Sequence, residues 1–105
     1  MKNTRYIFFS LLLNVAVIHS QNGLIKTYYL DGTPRTEMSY VNDVLDGSAI
    51  WFYSNGNIQE EKNYSNGILS GMVREFYPAG LLKIEYSVKD GIKDGNQRIY
   101  YENGS

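Results

Sequence analysis

The sequence predicts an all-β fold, a single-layer antiparallel β-meander of repeated hairpins. Glycines and aromatic residues recur every 24 residues after the first twenty positions, and such a regular period is typical of repeat proteins. Most of the recurring turn glycines follow Asp or Asn, a dipeptide that favours tight hairpin turns. The segments between the turns are rich in Tyr, Ile, Val, Phe and Trp, and they lack the apolar period of a helix.

The first twenty residues are typical of a secretory signal peptide. Two basic side chains stand near the start, an apolar run extends from Tyr6 to Ile18, and Ser20 is a small residue suited to cleavage. The apolar run is shorter than the roughly 20 residues that a membrane-spanning helix needs, so an uncleaved anchor is the weaker alternative. We expect a helical signal peptide over 1–20, cleavage between Ser20 and Gln21, and export to the periplasm, cell envelope or medium.

Residues 21–105 are predicted to form one repeat domain. Its units lie at about 23–46, 47–70 and 71–94, and a partial unit follows at 95–105. The positions that keep the 24-residue interval are Gly32, Gly56, Gly80 and Gly104; Gly23, Gly47, Gly71 and Gly95; Tyr29, Tyr53, Tyr77 and Tyr101; and Glu37, Glu61 and Glu85. Each unit therefore predicts one β-hairpin followed by a second turn.

The tight turns are predicted at Gly32, Gly56, Gly80 and Gly104. Asp or Asn precedes three of these glycines, which favours a two-residue type I′ turn with positive φ at both central residues. Ala79 precedes Gly80, so that turn is expected to be weaker or of another type. Longer second turns are expected over 41–46, 65–70 and 89–94. The predicted strands are 24–30, 33–40, 48–54, 57–64, 72–78, 81–88 and 96–102.

A two-residue turn sets the register of each hairpin. Next to the turns it pairs residue 29 with 34, 53 with 58 and 77 with 82. Further along it places Lys26 opposite Glu37 and Arg74 opposite Glu85, whereas Ile50 faces Glu61. Opposed charges on neighbouring strands contribute roughly 0.2–1 kcal/mol. We therefore interpret Lys26, Glu37, Arg74 and Glu85 as structural ion pairs.

Alternation along the strands assigns the side chains to two faces of the sheet. Face two carries an aromatic ladder, defined as Tyr28, Phe52, Phe76 and Tyr100. The ladder has two interpretations: packing against Arg35, Gln59 and Lys83, or binding of a sugar polymer, a peptide or a partner sheet. Face one is predicted to collect Ile25, Tyr29, Met38, Ala49, Trp51, Tyr53, Ile58, Val73, Tyr77, Leu82, Ile84, Tyr86, Ile99 and Tyr101.

The repeat resembles the MORN family in its variant form, which includes bacterial proteins known as YwqK-type antitoxins. The motifs that carry the resemblance are Tyr28-Tyr29-Leu30-Asp31-Gly32, Phe52-Tyr53-Ser54-Asn55-Gly56, Phe76-Tyr77-Pro78-Ala79-Gly80 and Tyr100-Tyr101-Glu102-Asn103-Gly104, with Gly47, Gly71 and Gly95 between them. The resemblance implies an elongated single-layer sheet of hairpins and a role as a protein-interaction scaffold. The antitoxin name implies neutralisation of a toxin in the cytosol, with which the predicted signal peptide conflicts.

Catalytic and ligand chemistry finds little support in residues 21–105. This part of the chain contains neither His nor Cys, so it lacks the usual general base and all thiolate chemistry. We predict no catalytic residues, no metal site and no cofactor, and interpret the turn aspartates as turn formers rather than calcium ligands. Eleven acidic against eight basic side chains argue against nucleic acid and anionic membranes as partners.

The sequence therefore favours an exported, non-enzymatic repeat protein that binds an unidentified protein partner. Two alternatives stay open: an envelope or carbohydrate-binding module that uses the aromatic ladder, and an antitoxin or immunity-type protein. Strand 96–102 would leave an open sheet edge, and such edges recruit strands from other chains. Self-association through this edge is a further expectation.

Overall fold

The structure is a computed structural model that describes residues 20–102. The predicted signal peptide lies outside the described residues except for Ser20, and Gly104 lies outside them as well. One antiparallel sheet contains β1 (Gly23–Tyr28), β2 (Pro34–Val41), β3 (Val44–Phe52), β4 (Ile58–Ser65), β5 (Ile68–Leu69), β6 (Gly71–Phe76), β7 (Leu82–Lys89), β8 (Ile92–Lys93) and β9 (Arg98–Ile99).

The sheet follows the chain, which confirms the predicted open meander of hairpins. Its strands lie in the order β1-β2-β3-β4-β6-β7-β8, with β5 also paired to β4 and β9 to β7. Short breaks separate β5 from β6 and β8 from β9, so the nine segments follow the seven predicted strand positions. The last strand is shorter than the predicted 96–102, because only Arg98 and Ile99 pair with β7 beyond the break.

The turns that contain the recurring glycines have three-residue loops. The amide of Gly32 donates to the carbonyl of Tyr29 at 2.9 Å, and the amide of Tyr29 donates to Thr33 at 2.8 Å. Gly32 has φ of +89°, whereas the φ of Asp31 is not positive. This is a type I turn closed by a left-handed glycine, and the other two described copies repeat its hydrogen bonds.

The type I′ prediction for these turns was therefore wrong, and so were the pairings of 29 with 34, 53 with 58 and 77 with 82. The structure pairs the backbone of Tyr53 with Asn57 instead. Asp and Asn serve here as side-chain acceptors: Oδ1 of Asp31 accepts from the Thr33 amide at 3.0 Å. Hydrogen bonds from the Thr33 hydroxyl and amide also lower the pKa of Asp31. Ala79 suits its turn, because its position does not require positive φ.

Two-residue turns with positive φ occur at the other end of the hairpins. Asn42 and Asp43 have φ of 48° and 68°, and Asn66 and Gly67 have φ of 50° and 84°. Asp90 and Gly91 repeat this geometry, with 52° and 81°. The second turns are thus shorter than predicted, because residues adjacent to them extend the strands.

A bulge in each hairpin restores the register further from the glycine turns. Phe52 pairs with Ile58 whereas Trp51 pairs with Glu60, so Gln59 is an extra residue in β4. The same shift occurs at Arg35 in β2 and Lys83 in β7. The additional loop residue and the bulge residue offset each other, so the register beyond the bulge is the predicted one. The cross-strand pairs there are Lys26 with Glu37, Arg74 with Glu85 and Ile50 with Glu61.

The bulges move two apolar side chains to the other face. Cross-strand partners project to the same side of a sheet, and the structure pairs Ile58 with Phe52 and Leu82 with Phe76. The prediction of Ile58 and Leu82 on face one was therefore wrong. The physical reason is that an inserted residue shifts the alternation of every residue between the bulge and the turn.

Few side chains are buried, as a single layer requires. Among residues 20–102, the buried apolar side chains are Ala49, Val73 and Val88, with 0%, 0% and 4% exposure. Cross-strand pairing puts Ala49 between Met38 and Lys62 on face one. The small core leaves most stabilisation to backbone hydrogen bonds and cross-strand pairs.

Gly47, a member of the second set of recurring glycines, takes part in one of these cross-strand pairs. Gly47 lies opposite Tyr64, so the aromatic ring can cover a backbone that carries no side chain. A Cβ added at Gly47 would lie 3.1 Å from Cβ of Ser39, at a φ of +113°. Close strand approach and backbone conformation both favour glycine there.

The turn geometry makes a prediction about Gly56 and Ala79. Gly56→Ala should lower the free energy of unfolding by about 1–2 kcal/mol, because Gly56 has φ of +93° although an added Cβ meets no atom within 4 Å. Ala79→Gly should lower it by about 0.4–1 kcal/mol through the entropy of the unfolded chain. Urea unfolding of both variants measures these changes, and stabilisation by Ala79→Gly would contradict the assigned turn.

Candidate binding face

The aromatic ladder lies on face two with partial exposure. Tyr28 is 55% and Tyr100 39% exposed, whereas Phe52 and Phe76 are partly buried. Each of the first three ladder residues is the last residue of its strand segment, immediately before a glycine turn. The repeat therefore places one aromatic ring on every second strand along one margin of the sheet.

Aliphatic side chains fill the intervals of the ladder. The bulged pairings set Tyr28 opposite Pro34, Phe52 opposite Ile58 and Phe76 opposite Leu82. Aromatic and aliphatic residues consequently alternate along this margin, which we call the apolar stripe. The aliphatic members could not be predicted from the sequence, because strict alternation places Ile58 and Leu82 on face one.

Two of the side chains that were predicted to pack on the ladder, Arg35 and Lys83, lie near the rings of other tyrosines. Cζ of Arg35 lies 5.9 Å from the ring centre of Tyr29, and Nζ of Lys83 lies 5.7 Å from that of Tyr77. These cation–π distances involve the tyrosine that follows each ladder residue.

The recurring tyrosines join successive repeats. The hydroxyl of Tyr29 donates to the carbonyl of Phe52, and the hydroxyl of Tyr53 donates to the carbonyl of Phe76 at 2.6 Å. Tyr77 donates to the carbonyl of Tyr100 at 2.9 Å. Each tyrosine thus fixes the backbone of the next ladder residue. The 24-residue interval of these tyrosines was visible in the sequence, but their hydrogen-bond acceptors were not.

A row of charged residues crosses face two beside the apolar stripe. Nε of Arg74 donates to Oε2 of Glu85 at 2.7 Å, and Arg98 contacts Oε1 of the same carboxylate at 3.1 Å. Nη1 of Arg74 lies 3.9 Å from Oε1 of Glu61. Lys26 and Glu37 lie opposite each other, but within the described part of the chain no ion pair within 4.0 Å joins them.

The ion pairs change the acidity of Glu85. The hydrogen bond from Arg74 is the largest cause that holds the pKa of Glu85 below its ordinary value of 4.5, and Arg98 acts in the same direction against desolvation. The side chain of Glu85 is 13% exposed. Its carboxylate is therefore occupied by two guanidinium groups and serves the sheet.

Branched aliphatic side chains form a second apolar row beyond the charged residues. Val44, Ile68 and Ile92 recur at 24 residues beside the two-residue turns and are 38%, 53% and 72% exposed. These three residues were not among the predicted site residues, although their 24-residue interval is visible in the sequence. Face two therefore presents charges between two apolar margins.

Two further questions about residues 20–102 concern a cluster of metal-ligating side chains and a membrane-spanning helix. No cluster of three or more His, Cys, Asp and Glu side chains in residues 20–102 is placed to hold a metal ion. Within the same residues, no helix has the length and apolar character needed to span a membrane.

The geometry defines a class of protein, an open sheet of sequential hairpins with a 24-residue unit. The family model described as MORN repeat variant matches residues 21–42, 45–66 and 93–105, which together exceed half of the chain. The chain belongs to this family. No curated protein and no solved structure shows significant similarity to it.

The tyrosine bonds predict a measurable loss of stability. Tyr53→Phe removes the donor to the carbonyl of Phe76 and should lower the free energy of unfolding by about 0.5–1.5 kcal/mol. Tyr28→Phe removes a hydroxyl from a ring that is 55% exposed and is the matched control. Equal stability of the two variants in urea unfolding would show that the bond contributes nothing.

The lowered pKa of Glu85 predicts how the stability of the protein changes at acidic pH. A carboxylate with a depressed folded-state pKa stabilises the fold above its unfolded pKa, and this contribution disappears as pH falls through the folded value. Glu85→Gln should therefore lower the melting temperature at pH 7, and the difference from wild type should shrink below the ordinary value of 4.5. Thermal melts across acidic pH measure it; a difference that persists at the lowest pH contradicts the assignment.

Proposed function

We propose that this chain is an exported, non-enzymatic repeat protein that acts as a protein–protein interaction scaffold through face two. The observation that carries the proposal is the apolar stripe. Its aromatic rings are exposed or partly buried, and the described residues form one sheet with no second layer over face two. Tyr, Trp and Phe are enriched at protein interfaces, and Tyr and Trp are among the side chains that most often dominate the binding energy.

The arrangement of charges supports a protein partner. The charged row lies between two apolar margins, and Arg74 and Arg98 are both already paired with Glu85. A partner can therefore cover the row without leaving these charges unpaired, which is the costly outcome at an interface. Lys26 and Glu37, which form no such pair with any residue of 20–102, offer charges that a partner can select.

The non-enzymatic part of the proposal rests on composition and on the occupied carboxylates. Residues 21–105 have no His or Cys, and Glu61 and Glu85 contact arginine side chains. Export rests on the leader-like composition of residues 1–20.

A carbohydrate or envelope polymer is the second candidate. The ladder rings recur on every second strand, which corresponds to about 10 Å at the usual strand spacing. Such a spacing suits stacking on successive units of an extended polymer. An antitoxin or immunity-type protein is the third candidate, which the family resemblance suggests, and its partner would be a toxin protein.

Loss of two ladder rings tests the scaffold proposal. The wild-type processed product is first used to capture its partner from the envelope fraction. The same product carrying Phe52→Ala and Phe76→Ala should no longer capture that protein, because its affinity for the partner falls about tenfold or more. Mass spectrometry identifies the partner and calorimetry measures the affinity. Leu30→Ala, at a fully exposed turn residue, is the matched control.

The outcomes separate the candidates. Unchanged capture by the double variant contradicts a binding role for the ladder, provided that circular dichroism shows a folded sheet. If that variant does not fold, Tyr28→Ala with Tyr100→Ala replaces it, since both rings are more exposed. Loss of polysaccharide retention with no captured protein supports the second candidate, and capture of a toxin supports the third.

A further inference from the structure

The first two-residue turn holds the residue that follows the predicted cleavage site. The amide of Asp43 donates to the carbonyl of Gln21 at 3.0 Å, and the amide of Gln21 donates to Oδ1 of Asp43 at 2.6 Å. The amide of Asn42 donates to Oδ1 of Asn22 at 2.9 Å. Gln21 and Asn22 are thus attached to this turn by three hydrogen bonds.

Gln21 occupies a position that the later repeats also fill. Gly67 donates to the carbonyl of Leu45 at 2.7 Å, and Gly91 donates to that of Leu69 at 3.0 Å. The bond from Asp43 to Gln21 is the first member of this series, with the same 24-residue interval. Among the described residues, Gln21 is therefore the first with a place in the repeat pattern.

Asp43 departs from the repeat at this place. The equivalent residues are Gly67 and Gly91, with φ of 84° and 81°, and Asp43 adopts φ of 68°. A side chain in this conformation is strained relative to glycine. The carboxylate supplies what glycine lacks, an acceptor for the nitrogen of Gln21. An observed strained residue of this kind points to a function.

We propose that Asp43 is the docking group for the amino terminus created by cleavage before Gln21. The inference rests on the proposed export and leader removal. After cleavage the same nitrogen is an α-ammonium group, and the 2.6 Å hydrogen bond becomes an ion pair. A charge-assisted hydrogen bond of this kind is stronger than the hydrogen bond from the neutral backbone amide that it replaces. Removal of the leader therefore strengthens the attachment of the first edge strand to the turn.

The docking has a chemical consequence for Gln21. In a terminal glutamine, the neutral α-amine attacks the side-chain carboxamide carbon, a carbon–nitrogen bond forms, and ammonia leaves to give an uncharged lactam. A protonated amine has no lone pair for this attack. The carboxylate of Asp43 favours the protonated form and also directs the nitrogen towards the turn. Asp43 therefore protects the terminus against cyclisation.

Cyclisation kinetics test the proposal. Residues 14–20 of the full chain are replaced by a site-specific protease sequence, and cleavage after folding exposes Gln21. Intact-mass measurements then follow the loss of one ammonia. Asp43→Asn should cyclise about two to five times faster than wild type, the factor expected for loss of one exposed ion pair. Asp90→Asn, the same change in an equivalent turn, should cyclise at the wild-type rate.

A second variant separates docking from stability. Asp43→Gly copies the glycine of the later repeats, so it should keep or raise the melting temperature while it cyclises as fast as Asp43→Asn. Wild-type rates for both Asp43 variants would overturn the proposal. A mature exported protein that begins at a residue other than Gln21 would also overturn it, and partner capture through face two would remain a separate result.

Discussion

Every feature of this sheet depends on the chain reversing direction twice in each 24-residue unit, with a left-handed backbone conformation at each reversal. One reversal needs a single left-handed residue, which is glycine in all three described copies, and the other needs two. These conformations exclude most side chains. The turns therefore set the strand lengths, and the strand lengths set which side chains meet across the sheet.

The sheet has no thick core to compensate for a misplaced strand. With only Ala49, Val73 and Val88 buried among the described apolar side chains, packing contributes less than in a two-layer domain. Connections between repeats take over part of this role. Hydroxyls of Tyr29, Tyr53 and Tyr77 join one hairpin to the next at one margin. At the other margin, the backbone amide of each two-residue turn donates a hydrogen bond to a carbonyl 22 residues earlier in the chain.

The same connections link architecture with the proposed interface. The tyrosine hydroxyls bind the carbonyls of Phe52, Phe76 and Tyr100, so the preceding repeat holds the backbone at these three ladder residues. A binding surface with a fixed backbone loses less conformational entropy when a partner binds. Departures from the repeat then identify residues with individual roles. Asp43 is such a residue, because its carboxylate binds Gln21 where the later turns have glycine.

The sequence by itself determined the repeat length, the hairpin meander and the pairing of Arg74 with Glu85, because turn glycines and cross-strand charges are local or periodic signals. Only the tertiary structure decided the turn types, since Asp-Gly and Asn-Gly fit both a type I′ turn and a type I turn that ends in glycine. The bulges at Arg35, Gln59 and Lys83 were equally hidden, because an inserted residue leaves no mark on the repeat interval. They brought Ile58 and Leu82 beside the aromatic ladder, and the composition of the apolar stripe depends on that shift of alternation.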